Sequence, residues 1–433
     1  MTAPSPAAGP FLNPQPSALD RPIYLDYNAT TPVDPAVADL AAEHLRATFG
    51  NPSSAHAYGQ AAQAAIARAR AELADLLGCA PAEVVFTGGG SESDNLAIKG
   101  AALAARAEDA GRDHLITGAV EHPAVLNSCR WLVERLGFRL TVLPVDGHGR
   151  VDPDDLVRAI EPATALVTIM HANNEVGTLQ PIAEIARACR ARGVAFHTDA
   201  AQSVGKIPIR VDDASGARSG TSGARSGTSG ARSGTSGARS GLGVDLLTVA
   251  GHKLYAPKGI GALYVRAGRR LDSLVHGAGH EGGRRAGTEN TPYIAALGRA
   301  AALCQASLPA EVDRLRALRD RLEARLAEAV PGLALNGHPS ERLPNTLNVS
   351  FPGVDGAELL AATPSVAAST GSACHEGHTD PSPVLVAMGL ARDRALGAVR
   401  LTLGRWSTEE EVDAAAEALV ATWRAMAAVP SPT

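Results

Sequence analysis

Short β-branched apolar runs alternate with longer stretches of helical period along most of this chain. Residues 194–198 and 244–249 are nearly apolar throughout and read as buried parallel strands. Further strands are expected at 83–87, 114–117, 139–143, 165–170 and 259–265. Between them, apolar positions recur at helical spacing over 35–49, 57–77, around 96–98, and over 123–136, 153–160 and 182–192. This order, with crossovers long enough to hold helices, predicts a mostly parallel, doubly wound sheet. Beyond residue 290 the pattern changes. Long helices are expected at 292–307 and 310–329, strands at 346–351, 365–368 and 398–403, and a closing helix at 408–426. That part reads as a smaller α+β domain. At 433 residues the chain exceeds one ordinary core.

Composition narrows the class. The chain is 45% apolar and 20% charged with a net charge of -5, which fits a soluble globular protein and gives no nucleic-acid footprint. No apolar stretch is long enough for a membrane span. The first twenty residues, rich in Pro, Ala and Ser, lack a signal-peptide pattern and are expected to form a disordered tail. Five cysteines, at 79, 129, 189, 304 and 374, form no CxxC pair, so a reducing, cytoplasmic setting is expected.

Candidate chemistry gathers at the predicted strand ends, where open α/β sheets bind ligands. Lys253 follows one strand and Asp199 ends another, with Gln202 a helical turn on. A lysine able to form a Schiff base and an acid able to hold a pyridinium nitrogen are the pair that pyridoxal phosphate needs. The plain structural reading makes them a surface lysine and a cap. Gly88-Gly89-Gly90-Ser91 opens a helix after a strand, so its backbone N–H groups and helix dipole suit an anion. His122 and Asn174 also fall at the rim. They fit a helix start and a turn equally well in local terms, but a ring-stacking, proton-shuttling His and an amide donor belong where a ligand is expected. Arg400 lies in an apolar strand, where a charge is costly unless paired; a clamp on a substrate carboxylate would explain it. The polar, glycine-rich stretch 276–290, with Arg284 and Arg285, suits anion binding or an interface.

Two segments stand apart. The heptad Ser-Gly-Ala-Arg-Ser-Gly-Thr begins at 215, 222 and 229, and a fourth copy at 236–242 ends in Leu242. With no large apolar residue it is expected to be a flexible loop spanning roughly 30 Å, read as a tolerated repeat expansion rather than a recruiting arm. Residues 368–378 form a small-residue loop around Cys374, which favours an exposed nucleophile. His375 and His378 have metal-pair spacing but no second ligand pair, so no metal site is read there.

Together these residues resemble the cysteine desulfurases of the NifS/IscS-like branch, within the class V aminotransferases of pyridoxal-phosphate fold type I. The resemblance runs from about 21 to 425 and rests on YLDYNATTP (24–32), TGGGSESDN (87–95), EHPAV (121–125), HANNEVG (171–177), HTDAAQSVGK (197–206), GHKLYAPKGIGALYV (251–265), RRAGTEN (284–290), STGSACHEG (369–377) and VRLTLGR (399–405). It implies an aspartate-aminotransferase-like fold: a large cofactor domain at 35–304 with a seven-stranded sheet, and a small domain from 21–34 and 305–428.

It implies that Lys253 carries pyridoxal 5'-phosphate, Asp199 holds its ring nitrogen and Gln202 donates near its phenolic oxygen. His122 would stack on the ring and shuttle protons, and Asn174 would contact cofactor and substrate. Gly90, Ser91 and His252 would hold the phosphate, with Thr288 supplied by the other subunit of a homodimer. Arg400 would bind the carboxylate of L-cysteine. Cys374 would take the sulfur as a persulfide, releasing alanine, and pass it to an acceptor such as an iron-sulfur scaffold or a tRNA or cofactor thiolation route. No metal of the chain's own is implied, Cys374 being at most a ligand to a nascent cluster on that scaffold. One position departs: Ala250 stands where the family has a serine, which removes a phosphate contact, with Thr248 the nearest stand-in on that strand face. A selenocysteine or cystine lyase, an aminotransferase that does without Cys374, and a scaffold that has lost its cofactor remain the alternatives.

Overall fold

The structure, a computed structural model, describes residues 21–211, 241–371 and 380–428. Cys374, His375, His378, the first twenty residues and the heptads up to residue 240 lie outside the described residues.

The chain opens with β1 (Ile23–Tyr24), α1 (Pro35–Ala47) and α2 (Ala57–Leu77). Asp34 caps α1 by accepting the Ala36 N–H at 2.9 Å, with Pro35 in the first turn, where its missing N–H costs nothing. Alternating elements follow: β2 (Val84–Thr87), α3 (Gly90–Glu108), β3 (His114–Gly118), α4 (Pro123–Leu136), β4 (Arg139–Leu143), α5 (Pro153–Ala159), β5 (Thr164–Thr168), α6 (Ile182–Ala191), β6 (Ala195–Asp199), β7 (Leu246–Ala250) and β8 (Gly261–Val265). These strands form one sheet of seven in the order β2-β8-β7-β6-β5-β3-β4. Only β8 runs against its neighbours. The short link from β7 to β8 allows that reversal, whereas parallel neighbours need helical crossovers.

Apolar packing covers both faces, which explains why the strands read as continuous apolar runs rather than alternating ones. Phe86, Ile116, Val167, Leu247 and Val249 point into the core beneath α1, α2 and α6. Their neighbours Val85, Leu115, Leu166 and Leu246 meet α3 and α4 on the opposite face.

The rest comprises α7 (Thr291–Ala329), β9 (Ala334–Leu335), β10 (Thr346–Ser350), α8 (Gly356–Ala361), β11 (Val366–Ala367), α9 (Pro383–Ala387), α10 (Arg392–Leu396), β12 (Ala398–Thr402) and α11 (Glu409–Ala427). An antiparallel sheet β12-β10-β9 lies beside the parallel pair β1-β11. Leu347, Val349, Val399 and Leu401 pack with α7 and α11 in a second core.

The two helices expected between 292 and 329 are one continuous helix, α7, with Pro309 inside it. Its first half is buried in the larger core and its second half in the smaller, so tertiary packing on both sides of the proline carries the helix through. No described helix is long and apolar enough to cross a membrane.

Candidate active site

The carboxyl ends of β6 and β7 and the start of α3 meet at one cleft. Asp199 is the last residue of β6 and pairs in register with Thr248 of β7. Strand β7 ends at Ala250, and a single 3-10 turn, Gly251–Lys253, then swings the lysine over the sheet edge. The turn needs a glycine at 251, since a Cβ there would stand 2.7 Å from the Ile260 carbonyl oxygen. The cleft, about 630 Å³, is lined by Gly88 to Ser91, His122, Asp199, Ala250, His252 and Lys253. A wider opening of about 980 Å³ shares His122 and Lys253 and adds Asp26, Asn28, Asn174, Gln202 and Arg400. Ten of the sequence-predicted residues thus converge: Gly90, Ser91, His122, Asn174, Asp199, Gln202, His252, Lys253 and Arg400 on one chain, with Ala250 among them as the departure.

The α3 end supplies the anion cradle. The helix begins at Gly90, and its first N–H groups have no partner within the helix. A Cβ on Gly90 would come within 3.1 Å of the Ala250 Cβ, so the space between these two residues is kept open by the missing side chain. Thr248 cannot stand in for a hydroxyl at 250: its Oγ1 is 3.0 Å from His197 Nε2, and its methyl is the atom facing Gly90. His252 turns Nδ1 to Thr30 Oγ1 at 3.1 Å, which leaves Nε2 as its other hydrogen-bonding atom. Burial and the nearby Lys253, Lys258 and Lys206 push its pKa down to about 4, so the ring is neutral at physiological pH.

Charges in the cleft are mutually adjusted. Burial lowers the Lys253 pKa, Asp199 pulls it back up, and Arg400 lowers it further. The result is an amine that loses its proton more readily than an exposed lysine, as a nucleophile requires. His122 is the N-cap of α4, accepting the Ala124 N–H on Nδ1 at 3.2 Å. That bond selects the tautomer with its proton on Nε2. Burial lowers this pKa as well, with Asp199 raising it and Lys253 lowering it. Asp199 itself is braced by the Ala201 N–H, 2.9 Å from Oδ1.

Arg400, 5% exposed, is paired as the apolar surroundings demand, but with a partner that sequence reasoning did not name. Its Nη2 lies 2.7 Å from Asp26 Oδ1 and its Nη1 donates to the Asn174 carbonyl at 3.0 Å. Among the described residues Nε has no hydrogen-bond partner. Asn173 and Asn174 divide their duties. Asn173 is a turn residue, its Oδ1 accepting the N–H groups of Glu175 and Val176. Asn174 faces the opening. Thr288 lies exposed on the 276–290 stretch and lines neither cavity of its own chain.

Four further polar groups escaped the sequence reading: Lys206, Glu121, Asp94 and Glu175, all buried. Each sits inside a quoted motif, and a charged residue in a segment otherwise destined for burial was the signal available. Asp94 and Glu121 carry carboxyl pKa values raised by burial, with Asp199 adding repulsion.

The donor set therefore suits an aldehyde-bearing, anionic, nitrogen-ring cofactor: an amine with lowered basicity, a braced carboxylate and a helix start held open by glycine. Among the described residues no group of three or more His, Cys, Asp or Glu side chains is arranged to hold a metal.

Comparison with known proteins agrees with this geometry. The family model of class-V aminotransferases matches residues 23–216 and 238–415, leaving out most of the heptad segment. A cysteine desulfurase of Pongo abelii is 42% identical over 415 residues, 95% of this chain and 82% of that protein. Cysteine desulfurase IscS of Anaeromyxobacter dehalogenans is 45% identical over 395 residues, 90% of each chain. Among solved structures, a NifS-like protein superposes with a TM-score of 0.79 at 32% identity, covering 94% of this chain and 100% of its own. SspA in complex with cysteine gives 0.71 at 37% identity, covering 89% and 99%.

Proposed function

The chain belongs to the class-V aminotransferase family, in its cysteine desulfurase branch, and we propose that it takes sulfur from L-cysteine with pyridoxal 5'-phosphate as cofactor. The observation that carries the reading is the shared cleft: Lys253, Asp199, His122 and the glycine-rich start of α3 line one wall, and Arg400 stands at the adjoining opening.

The residues would divide the work as follows. The α3 N–H groups, Ser91 and His252 would hold the phosphate, and Asp199 would keep a proton on the ring nitrogen. The bound cofactor supplies an electron sink for a carbanion at the substrate Cα. Lys253 would hold the cofactor through Nζ and, as a free amine, would take the proton from the substrate Cα. Arg400 fixes the substrate carboxylate, exchanging part of its bond to Asp26 for the new partner. His122, presenting Nε2–H to the cleft, serves proton transfer at the substrate. The Cys374 thiolate attacks the substrate sulfur. As the carbon–sulfur bond breaks, its electron pair stays with carbon, which gains a proton to leave as alanine. Cys374 retains the sulfur as a persulfide for an acceptor protein. Thr288 completes the phosphate site of the other subunit in a homodimer.

The test is the absorption spectrum of the purified protein with added cofactor, before and after L-cysteine, with alanine and sulfide assayed in wild type and Cys374→Ala. A visible band that L-cysteine perturbs, with alanine formed only when Cys374 is present, is expected. A protein that takes up no cofactor refutes the enzyme reading. Alanine or keto acid formed without Cys374 points instead to a lyase or an aminotransferase.

A further inference from the structure

Lys206 lies 8% exposed in the turn that follows β6, four residues beyond Gln202. No carboxylate is bonded to it among the described contacts. Its Nζ donates instead to two amide oxygens, Gln202 Oε1 and Asn28 Oδ1, each at 2.8 Å. A lysine buried on neutral carbonyls is costly, because the desolvated charge gains only dipoles in return. The charged groups acting on it are Lys253 and Arg400, both repulsive. Such a residue needs a reason beyond packing.

The reason lies in the polarity of its bonds. An amide offers an oxygen that only accepts and a nitrogen that only donates. With Oε1 drawn to Lys206, the Gln202 amide nitrogen must point the other way. One of its hydrogens goes to the Asn28 carbonyl at 3.0 Å, and Gln202 lines the same opening as Lys253. Asn28 is set in the same sense. Its Oδ1 accepts from Lys206 and from Asn345 at 3.2 Å, so its Nδ2 donates to the Asn174 carbonyl at 3.2 Å and to Thr346 Oγ1 at 2.9 Å. The same Asn174 carbonyl receives Arg400 Nη1. One buried lysine amine, its pKa lowered by burial and by Lys253 and Arg400, thus orders a chain of donors running from the ring side of the site to the carboxylate side.

We propose that Lys206 is a positioning residue of the active site: its bonds turn the Gln202 amide so that an N–H, and not a carbonyl, faces the cofactor's phenolic oxygen. The proposal rests on the pyridoxal-phosphate reading above. A donor at that oxygen favours its anionic form and so disfavours a proton on the neighbouring Lys253–cofactor linkage. Without Lys206, two buried amide oxygens lose a donor and Gln202 is free to turn its carbonyl toward the ring.

The readout is the pH titration of the visible band of the cofactor-loaded protein, without substrate. In Lys206→Met the midpoint should rise by about one unit or more. In a Gln202→Leu background, the same substitution should shift it by clearly less, because most of the Lys206 effect passes through Gln202. If Lys206→Met does not fold, Gln202→Glu takes its place: a carboxylate keeps the bond to Lys206 but presents no N–H, and the midpoint should again rise. A midpoint within a few tenths of wild type in Lys206→Met, or in Gln202→Glu where that stands in, overturns the proposal. So does a full-sized shift that persists in the Gln202→Leu background. A wild-type protein with no cofactor band removes the cofactor reading and this proposal with it, whereas a normal wild-type band with an immobile midpoint removes this proposal alone.

Discussion

At position 250 the site lacks a hydroxyl that its surroundings have room for. The Ala250 Cβ faces Gly90, which has no side chain, and Thr248 has already committed its Oγ1 to His197. A hydrogen bond to a charged group contributes about 1.5 to 3 kcal/mol, or roughly tenfold in affinity at the low end. Ala250→Ser should therefore lower the dissociation constant for pyridoxal 5'-phosphate about tenfold, measured by titrating cofactor into apoprotein; an unchanged constant would mean that the helix N–H groups already saturate the phosphate. Glu121 presents the opposite case, a group the site tolerates at a cost to the fold. Its Oε1 accepts the Met170 N–H at 2.7 Å, but the buried Oε2 has no partner among the described residues, and burial raises its pKa well above 4.5, with Asp199 adding to the rise. A carboxyl whose folded pKa is raised contributes its stability below the unfolded value and loses it as pH rises through the folded one. Each unit of elevation amounts to about 1.4 kcal/mol. Glu121→Gln, which keeps the bond to Met170, should raise the melting temperature of the apoprotein at pH 7.5 by ~2 °C or more and leave it nearly unchanged at pH 4.5. A variant less stable at both pH values would show that the carboxylate is charged and paired in the fold.

Helix α7 shows where local signals stop being decisive. Pro309 removes one N–H from the ladder and Ser307 turns its Oγ back to the Leu303 carbonyl at 3.1 Å, both of which weaken or bend a helix. The helix persists because Ile294, Leu297 and Leu308 are held in the large core and Leu315, Leu322 and Leu326 in the small one. Pro309→Ala restores the missing donor and should raise apoprotein stability by about 1 to 3 kcal/mol in denaturant unfolding; a loss would show that the proline's local geometry is itself required where the two cores meet. The same contrast explains what the sequence makes legible. Strands β2, β5, β7 and β8 are readable because burial on both faces leaves nearly apolar runs, whereas β4 at the sheet edge is partly exposed. Lys253, Asp199 and His122 are readable because strand ends are where ligands bind. Asp26, Lys206 and Glu121 are not, since their roles depend on partners tens to hundreds of residues away: Arg400 for Asp26, Asn28 for Lys206, Met170 for Glu121. Short elements such as β9 and α8 carry too few residues for a period to show.

At the scale of the whole molecule, one fold accommodates the heptad segment 215–242 between two strands that must lie side by side. It does so at the base of the segment, where the Leu242 N–H donates to the Arg210 carbonyl at 2.7 Å and the Gly243 N–H to the Val211 carbonyl at 3.2 Å. These bonds bring the two ends together before the chain enters β7, whose pairing with β6 places Thr248 beside Asp199. The geometry of the site is thus set by residues on the near side of that closure. The family model resumes only at 238, so the shared architecture does without the repeats. If the heptads form the flexible loop that their composition implies, closure entropy grows only as the logarithm of loop length, and shortening the loop from about thirty residues to about four recovers roughly 2 kcal/mol. Replacing residues 213–240 by a short Gly-Ser turn should accordingly raise apoprotein stability by about 1 to 2 kcal/mol. It should leave the cofactor band, alanine formation and the subunit assembly of the full chain unchanged. A variant that folds and binds cofactor but loses alanine formation or assembly would instead place the repeats within reach of the active-site mouth or of a second copy, and the tolerated-expansion reading would have to be given up.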